Sequence, residues 1–256
     1  MSRFANIADV RAIEEANPWP ESQPAVTLYQ LLSQTAARVP NNKAVSFQLL
    51  SGPKDKAETM TWKQYHGKVT QVANLFRSLG VGEGDVVAYV LPNCNEATTV
   101  LIGGCVAGIA NPINPLLEPE HIASILRETK AKLVVTLRAF PKTDVAQKVA
   151  EAVADAPGVT HVLEVDLLRY LTPPKSWIVP LIRPKNPVSH HAKVLDFTAE
   201  VAKQPADRLT FDDSKEDRVA AYFHTGGTTG MPKVAQHKYS GMIYNGWLGH
   251  TLLFDD

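Results

Sequence analysis

Three glycines, three threonines and one lysine fall within the nine residues Thr225-Gly-Gly-Thr-Thr-Gly-Met-Pro-Lys233. Gly226, Gly227 and Gly230 permit positive φ and a close approach of backbone to ligand. Successive free amides in such a turn form an anion-binding concavity. The hydroxyls of Thr225, Thr228 and Thr229 add donors, and Lys233 adds a compact positive charge on a flexible stem. A plain hairpin turn needs far fewer donors, so the run suits a polyphosphate. It is not the nucleoside-triphosphatase loop, which has Gly directly before the Lys, Ser or Thr directly after it, and a helix at once. Here Pro232 precedes Lys233 and Val234 follows. Val234 and Ala235 read as strand, so the loop is expected to join two strands.

The elements that must position this loop are legible upstream. Val219 to Phe223 is an apolar strand leading straight into it. Asp85 to Leu91 is a near-continuous apolar run, the pattern of a parallel strand buried on both faces. Helix-like and strand-like segments alternate from about residue 59 to residue 165. Thr61-Trp-Lys-Gln64 forms a capping box. Behind it Trp62, Tyr65, Val69, Val72, Phe76 and Leu79 recur at helical spacing, and Gly80 suits the C-terminal cap. Thr27-Leu-Tyr-Gln30 fits a second capping box. The alternation predicts an α/β fold: a mostly parallel sheet with helices on both faces and right-handed crossovers.

Four regions are expected. Residues 1–26 form an irregular N-terminal arm, because Pro18, Pro20 and Pro24 oppose a helix. Residues 27–165 form an α/β subdomain. Residues 166–213 are a Pro-rich excursion packed by Trp177, Ile178, Leu181 and Ile182, with one helix over Lys193 to Gln204. A membrane or partner patch is the minor alternative for that apolar set, which Lys and Arg flank. Residues 214–256 hold the strand, the phosphate loop and a last helix from about Tyr239 to Phe254. Gly241, Gly246 and Gly249 weaken that helix unless close packing needs them.

Composition removes several function classes. Over 256 residues, 26 basic side chains balance 26 acidic ones, and 45% of residues are hydrophobic. The basic footprint of a nucleic-acid module is missing. Cys94 and Cys105, if they share a helix, lie about 16 Å apart along its axis, too far for a disulfide. Free cysteines and a first segment without an apolar core predict a cytoplasmic protein with no signal peptide and no strong membrane signal. Neither a Gly-x-Ser-x-Gly elbow nor His-Glu-x-x-His is present. No metal site is expected in the chain, the His190-His191 pair included. Gly80-Val-Gly-Glu-Gly84 lies after a helix and before a strand, the reverse of a dinucleotide turn.

Thr225 to Lys233 resembles, at every position, the signature loop of the adenylate-forming superfamily of acyl-CoA synthetases, nonribosomal-peptide adenylation domains and luciferases. Leu79 to Val87, Gly103 to Pro115 and Glu118 to Val135 resemble other segments of that family. Together these cover most of residues 27 to 256. The Asn-Pro-Ile-Asn-Pro115 run and the His224-Thr-Gly-Gly227 start look most like bacterial acyl-CoA synthetases. The resemblance implies the N-terminal part of such an enzyme: carboxylate and ATP give acyl-AMP and pyrophosphate, then CoA takes the acyl group as a thioester. It implies that Thr225, Gly226, Gly227, Thr228, Thr229 and Gly230 hold nucleotide phosphates. It gives Lys233 a catalytic role, neutralising the departing pyrophosphate. It also implies Mg2+, with its ligand outside this chain. An acyl-AMP ligase feeding a carrier protein, or a non-catalytic phosphate binder, are the alternatives. The family's aromatic-Gly-x-Thr-Glu motif, ribose-binding Asp and catalytic Lys of the C-terminal domain are not found here, which predicts an inactive fragment. Val234 departs from the Gly that many members carry after the lysine. His237 falls where many members also carry His and is read as a polar residue at a strand end.

Overall fold

The computed structural model describes residues 6–19, 21–52, 55–185, 188–225 and 233–253. Its centre is a seven-stranded sheet: β3 (Val86–Val90), β4 (Ile109–Pro112), β5 (Ala131–Leu137), β6 (His161–Val165), β7 (Lys193–Asp196), β8 (Val219–Thr225) and β9 (Lys233–Lys238). The spatial order is β7-β6-β5-β3-β4-β8-β9. All neighbours run parallel except the hairpin β8–β9. A separate hairpin pairs β1 (Lys43–Gln48) with β2 (Ala57–Thr61).

The helices are α1 (Ile7–Ala16), α2 (Leu28–Arg38), α3 (Trp62–Ser78), α4 (Asn95–Ala107), α5 (Pro119–Glu128), α6 (Val145–Ala154), α7 (Lys175–Ile182), α8 (Phe197–Ala202) and α9 (Tyr239–Leu253). The crossover β3-α4-β4 steps one way along the sheet, whereas β4-α5-β5 and β5-α6-β6 step the other way. Right-handed crossovers therefore put α4 on one face and α5 with α6 on the other. The packing agrees, since α3 lies on α4 and α5 on α6. Between the layers, Val87, Val90, Leu133, Val134, Val135 and Leu163 are fully buried, which explains their apolar runs.

The α3 periodicity folds as read. Val69, Val72 and Phe76 are fully buried, the Thr61–Gln64 capping box is complete, and Gly80 takes φ 85°. Trp62 and Tyr65 are half-buried, and the Tyr65 hydroxyl donates to Thr98 O at 3.0 Å. The other box is only half formed: Thr27 Oγ1 accepts from Gln30 N, but the Gln30 amide oxygen takes the Val26 N–H instead.

Three expectations are corrected. The arm contains α1, because its prolines start only at Pro18 and Asn6 caps the helix by accepting from Ala8 N and Asp9 N. Residues 193–204 are not one helix. Val194 and Leu195 pair with Val162 and Leu163 as a strand, and Asp196 then caps α8 through Ala199 N. The segment 166–213 is anchored by buried Leu167, Tyr170, Val179, Phe197 and Val201, while Trp177, Ile178, Leu181 and Ile182 face outward. Glycines 241, 246 and 249 have nothing within 4 Å of where a side chain would begin, so no packing among the described residues calls for them.

Candidate functional site

The loop Gly226–Pro232 lies outside the described residues, and with it the predicted donors Gly226, Gly227, Thr228, Thr229 and Gly230. Its two posts are described. Thr225 ends β8, Lys233 begins β9, and the two form the last antiparallel pair of the hairpin. The predicted strand-loop-strand geometry is therefore present, and the Lys233 side chain is exposed at its post. Because β8 runs parallel to β4, the loop leaves the sheet at the edge where β3 and β4 also end. Ligands of open α/β sheets bind at this carboxyl edge.

A cleft of about 370 Å³ opens there, lined by Tyr89, Leu91 and Asn93 at the end of β3 and just beyond it, by residues 112–115 where β4 ends, and by Phe223 and His224 just before Thr225. The Asn-Pro-Ile-Asn-Pro115 run thus forms one wall of the cleft beside the loop. A larger groove, about 940 Å³, lies on another face against Lys63, His66, Lys68 and Arg169. Its charges serve the fold: Arg169 pairs with Glu58 and with buried Glu96, and Lys68 donates to Gln71.

Sequence reasoning assigned no role to His224 or Asn111, which the fold joins. His224 Nε2 lies 2.8 Å from Asn111 Oδ1, Asn111 Nδ2 donates to Thr129 Oγ1 at 3.2 Å, and that hydroxyl donates to Ile125 O. A helix carbonyl can only accept, so the chain of donors has one direction. Thr129 accepts from Asn111, and Asn111 Oδ1 must accept from His224. The imidazole therefore carries its proton on Nε2 and keeps a lone pair on Nδ1. Nδ1 is buried without a hydrogen-bond partner among the described residues. Burial lowers the pKa of this ring, so it stays neutral where an ordinary histidine would begin to charge. The available signal was Asn111, a polar residue inside an otherwise apolar strand.

The base of the hairpin is clamped by Arg218. Its guanidinium donates to Gly108 O at 2.7 Å and to Cys105 O at 2.8 Å, capping the C-terminus of α4, and lies over the Tyr239 ring. The Tyr239 hydroxyl donates to the same Cys105 carbonyl at 2.6 Å. Asp217 accepts from both Ser240 N and Ser240 Oγ, capping α9. His237 packs edge-on to Phe223 with centroids 5.0 Å apart, a packing contact at the strand, as its position led one to expect. Cys94 and Cys105 are free and buried, and burial pushes both thiols up to about 12, which makes them poor nucleophiles. Among the described residues no group of three or more His, Cys, Asp or Glu is placed to hold a metal ion. None of the described helices is long and apolar enough to cross a membrane.

His66 and His224 are both held low by burial. Each binds its proton less readily in the folded than in the unfolded chain, so their contribution is intact above the ordinary value of 6.5 and is lost as pH falls. The urea midpoint should therefore drop between about pH 7.5 and about pH 5.5. Glu164 and Asp213, raised by burial, act in the opposite sense. The decisive comparison is the double variant His66→Gln/His224→Gln, in which the drop should be smaller; an unchanged slope contradicts the assignment.

The chain matches the model of the AMP-binding enzyme family over residues 32–254. It is 31% identical over 241 residues to a marinolic acid–CoA ligase of Pseudoalteromonas sp. (strain SANK 73390), covering 94% of this chain and 33% of that protein. It is 26% identical to a long-chain-fatty-acid–CoA ligase of Bacillus subtilis (strain 168), covering 91% of this chain and 40% of that protein. Among solved structures it is similar in fold to the anthranilate CoA ligase AuaEII in complex with anthranoyl-AMP. That match has a TM-score of 0.61 and 20% identity, over 84% of this chain and 34% of that one. It is also similar in fold to the N-terminal domain of FACL13 from Mycobacterium tuberculosis, with a TM-score of 0.59 and 22% identity, over 83% of this chain and 44% of that one. The chain thus spans about a third of the length of the curated relatives it matches.

Proposed function

The chain belongs to the AMP-binding enzyme family, and from that membership we propose that it supplies the N-terminal, phosphate-binding part of an AMP-forming acid–CoA ligase. One observation carries the reading furthest. Thr225 and Lys233 stand opposite each other at the carboxyl edge of the parallel sheet, beside a cleft, at the two ends of a loop rich in donors. Residues 27–165 and 214–256 act as one α/β unit, since β8 lies against β4; residues 166–213 add β7 to its far edge.

In the proposed reaction a carboxylate oxygen attacks the α-phosphorus of ATP. The bond from that phosphorus to the bridging oxygen breaks, and pyrophosphate leaves with the electron pair. The CoA thiolate then attacks the acyl carbon and AMP departs. The amides and hydroxyls of Thr225 to Gly230 hold the β- and γ-phosphates, and Lys233 meets the charge that grows on the leaving pyrophosphate. Preorganised donors of this kind act without a covalent intermediate on the protein. Mg2+, when bound with ATP, would offset phosphate charge. Among the described residues no group of three or more His, Cys, Asp or Glu is placed to hold it.

Residues 1–256 contain no aromatic-Gly-x-Thr-Glu run. Alone they are expected to catalyse no carboxylate-dependent ATP–pyrophosphate exchange, whereas the protein made from its full reading frame should do so with one of a panel of short-chain, long-chain and aromatic acids. Turnover by residues 1–256 alone would overturn the partial-unit reading. Absence of exchange from the full-frame protein with every acid would overturn the ligase reading.

A further inference from the structure

The ladder between β4 and β8 is short, and the residues of β4 explain why. Alternate residues of a strand turn their N–H groups toward opposite neighbours. Ile109 N donates to Asp85 O and Ile113 N to Tyr89 O, both at 2.9 Å, so the odd-numbered residues of β4 serve the β3 side. The N–H groups that face β8 belong to the even-numbered positions, 110 and then 112. Position 112 is proline, which has no N–H to give. Among the described residues the β4–β8 register accordingly holds one pair, Ala110↔Ala221. β8 runs on from Tyr222 to Thr225 without a further ladder pair to β4. That stretch carries both posts of the loop, because Thr225 pairs with Lys233. β9 lies on the outer edge, so the hairpin meets the rest of the sheet only along β8.

One side chain supplies a hydrogen bond where the ladder stops. His224, directly before Thr225, donates from Nε2 to Asn111 Oδ1 at 2.8 Å. Asn111 is fully buried and is itself held, since it donates to Thr129 Oγ1, and that hydroxyl donates to Ile125 O. The end of the hairpin is thereby fastened through β4 to α5. Asn111 follows buried Ile109 and Ala110, and a polar group in such a place is costly unless it is fully bonded. Its bond to His224 lies in a low-dielectric setting, where a hydrogen bond is stronger than in water.

We propose that His224 is a positioning residue: its bond to Asn111 sets where the Thr225–Lys233 pair stands at the carboxyl edge, and so where the loop presents its charge to phosphate. The inference rests on the phosphate-binding reading given above, and it gives His224 no contact with the reacting atoms. Nε2 carries its hydrogen in both the neutral ring and the imidazolium, so the connection needs a donor rather than a charge. Glutamine offers such a donor from its amide, whereas leucine has similar bulk and none. Small displacements of a positioning group are enough to cost a large factor in rate.

Two readouts separate this role from a merely structural one. In residues 1–256, amide hydrogen exchange of segments 223–225 and 233–235 should quicken at least about tenfold in His224→Leu and stay near the parent rate in His224→Gln. Amides of β3 and β5 should keep their protection in both variants, which checks that the fold is intact. In the protein made from its full reading frame, His224→Leu should lower kcat for carboxylate-dependent ATP–pyrophosphate exchange about tenfold, and His224→Gln should retain most of it. Asn111→Ala removes the same bond from the other side. It should match His224→Leu in both readouts, and the double variant should be no worse than either. Equal hydrogen exchange in the parent, His224→Leu and His224→Gln overturns the proposal. So does a loss of kcat in His224→Gln equal to that in His224→Leu, which would assign the imidazole itself to the chemistry. A full-frame parent that is inactive with every acid, while the hydrogen-exchange difference is present, supports the positioning and refutes the ligase reading instead.

Discussion

In the ligase proposed above, Lys233→Ala is expected to slow carboxylate-dependent ATP–pyrophosphate exchange about a hundredfold in the protein made from its full reading frame, the usual scale for removing one preorganised electrostatic donor. Lys233 is the one charged residue of the nine-residue run Thr225 to Lys233, and it stands at the first position of β9 opposite Thr225. In the reaction proposed above, amides and threonine hydroxyls would offer phosphate oxygens only neutral dipoles, whereas the ammonium alone would bring a full charge. That charge matters most when pyrophosphate departs, so the loss should fall on kcat more than on the KM for ATP. Lys233→Arg should retain part of the rate, because charge is kept while its shape changes. The side chain is exposed at a strand end, so the urea midpoint of Lys233→Ala should stay near that of the parent chain. An unchanged exchange rate would refute the role given to Lys233.

Gly108→Ala is expected to destabilise the chain by at least about 3 kcal/mol, near the upper end for overpacking. A β-carbon at Gly108 would meet Asp85 O at 2.4 Å, Val81 Cγ1 at 2.8 Å and Gly82 O at 2.9 Å. Two of these are backbone carbonyls, which cannot rotate away as a side chain can. Relief would require moving the 82–85 turn, which places Asp85 O to accept from Ile109 N at 2.9 Å, at the start of the β3–β4 pairing. The consequence extends to the site. Gly108 O also accepts from Arg218, so a shift there loosens the clamp under the β8–β9 hairpin. Urea unfolding measures the loss, and Gly84→Ala, where nothing lies within 4 Å, is the matched control. Equal midpoints for the two variants would show that the turn yields without cost.

Much of the fold was readable because local and long-range demands agreed. A strand buried on both faces must be apolar throughout, and β3 is so, with Val86, Val87, Ala88 and Val90 all buried. An amphipathic helix must repeat every three or four residues, and α3 does. Where reading failed, the deciding partner lay far along the chain. Lys193 to Asp196 became a strand because β6 offered a free edge, a fact invisible in residues 193–204 themselves. The apolar content of the α7 segment predicts a packed surface excursion, with an exposed patch as the minor alternative. Yet Lys175 and Arg183 hold Asp55 and Asp166, and these anchors turn its apolar residues outward.

The sequence by itself determined the donor chemistry of the run proposed to bind phosphate. Glycine conformations, threonine hydroxyls and a lysine charge are properties of nine consecutive residues, and the strand that precedes them is written in its own apolar pattern. Only the tertiary structure decided what stands beside the loop. Asn111, itself held by Thr129, reaches His224 because β4 is inserted between β3 and β8, an order fixed by crossover connections rather than by any local run. Arg218 finds the last carbonyls of α4 for the same reason. A hydrogen bond between residues more than a hundred positions apart leaves no periodic trace in the chain. It exists once the sheet has closed around the buried polar groups, which must then be satisfied by whatever the fold brings within reach.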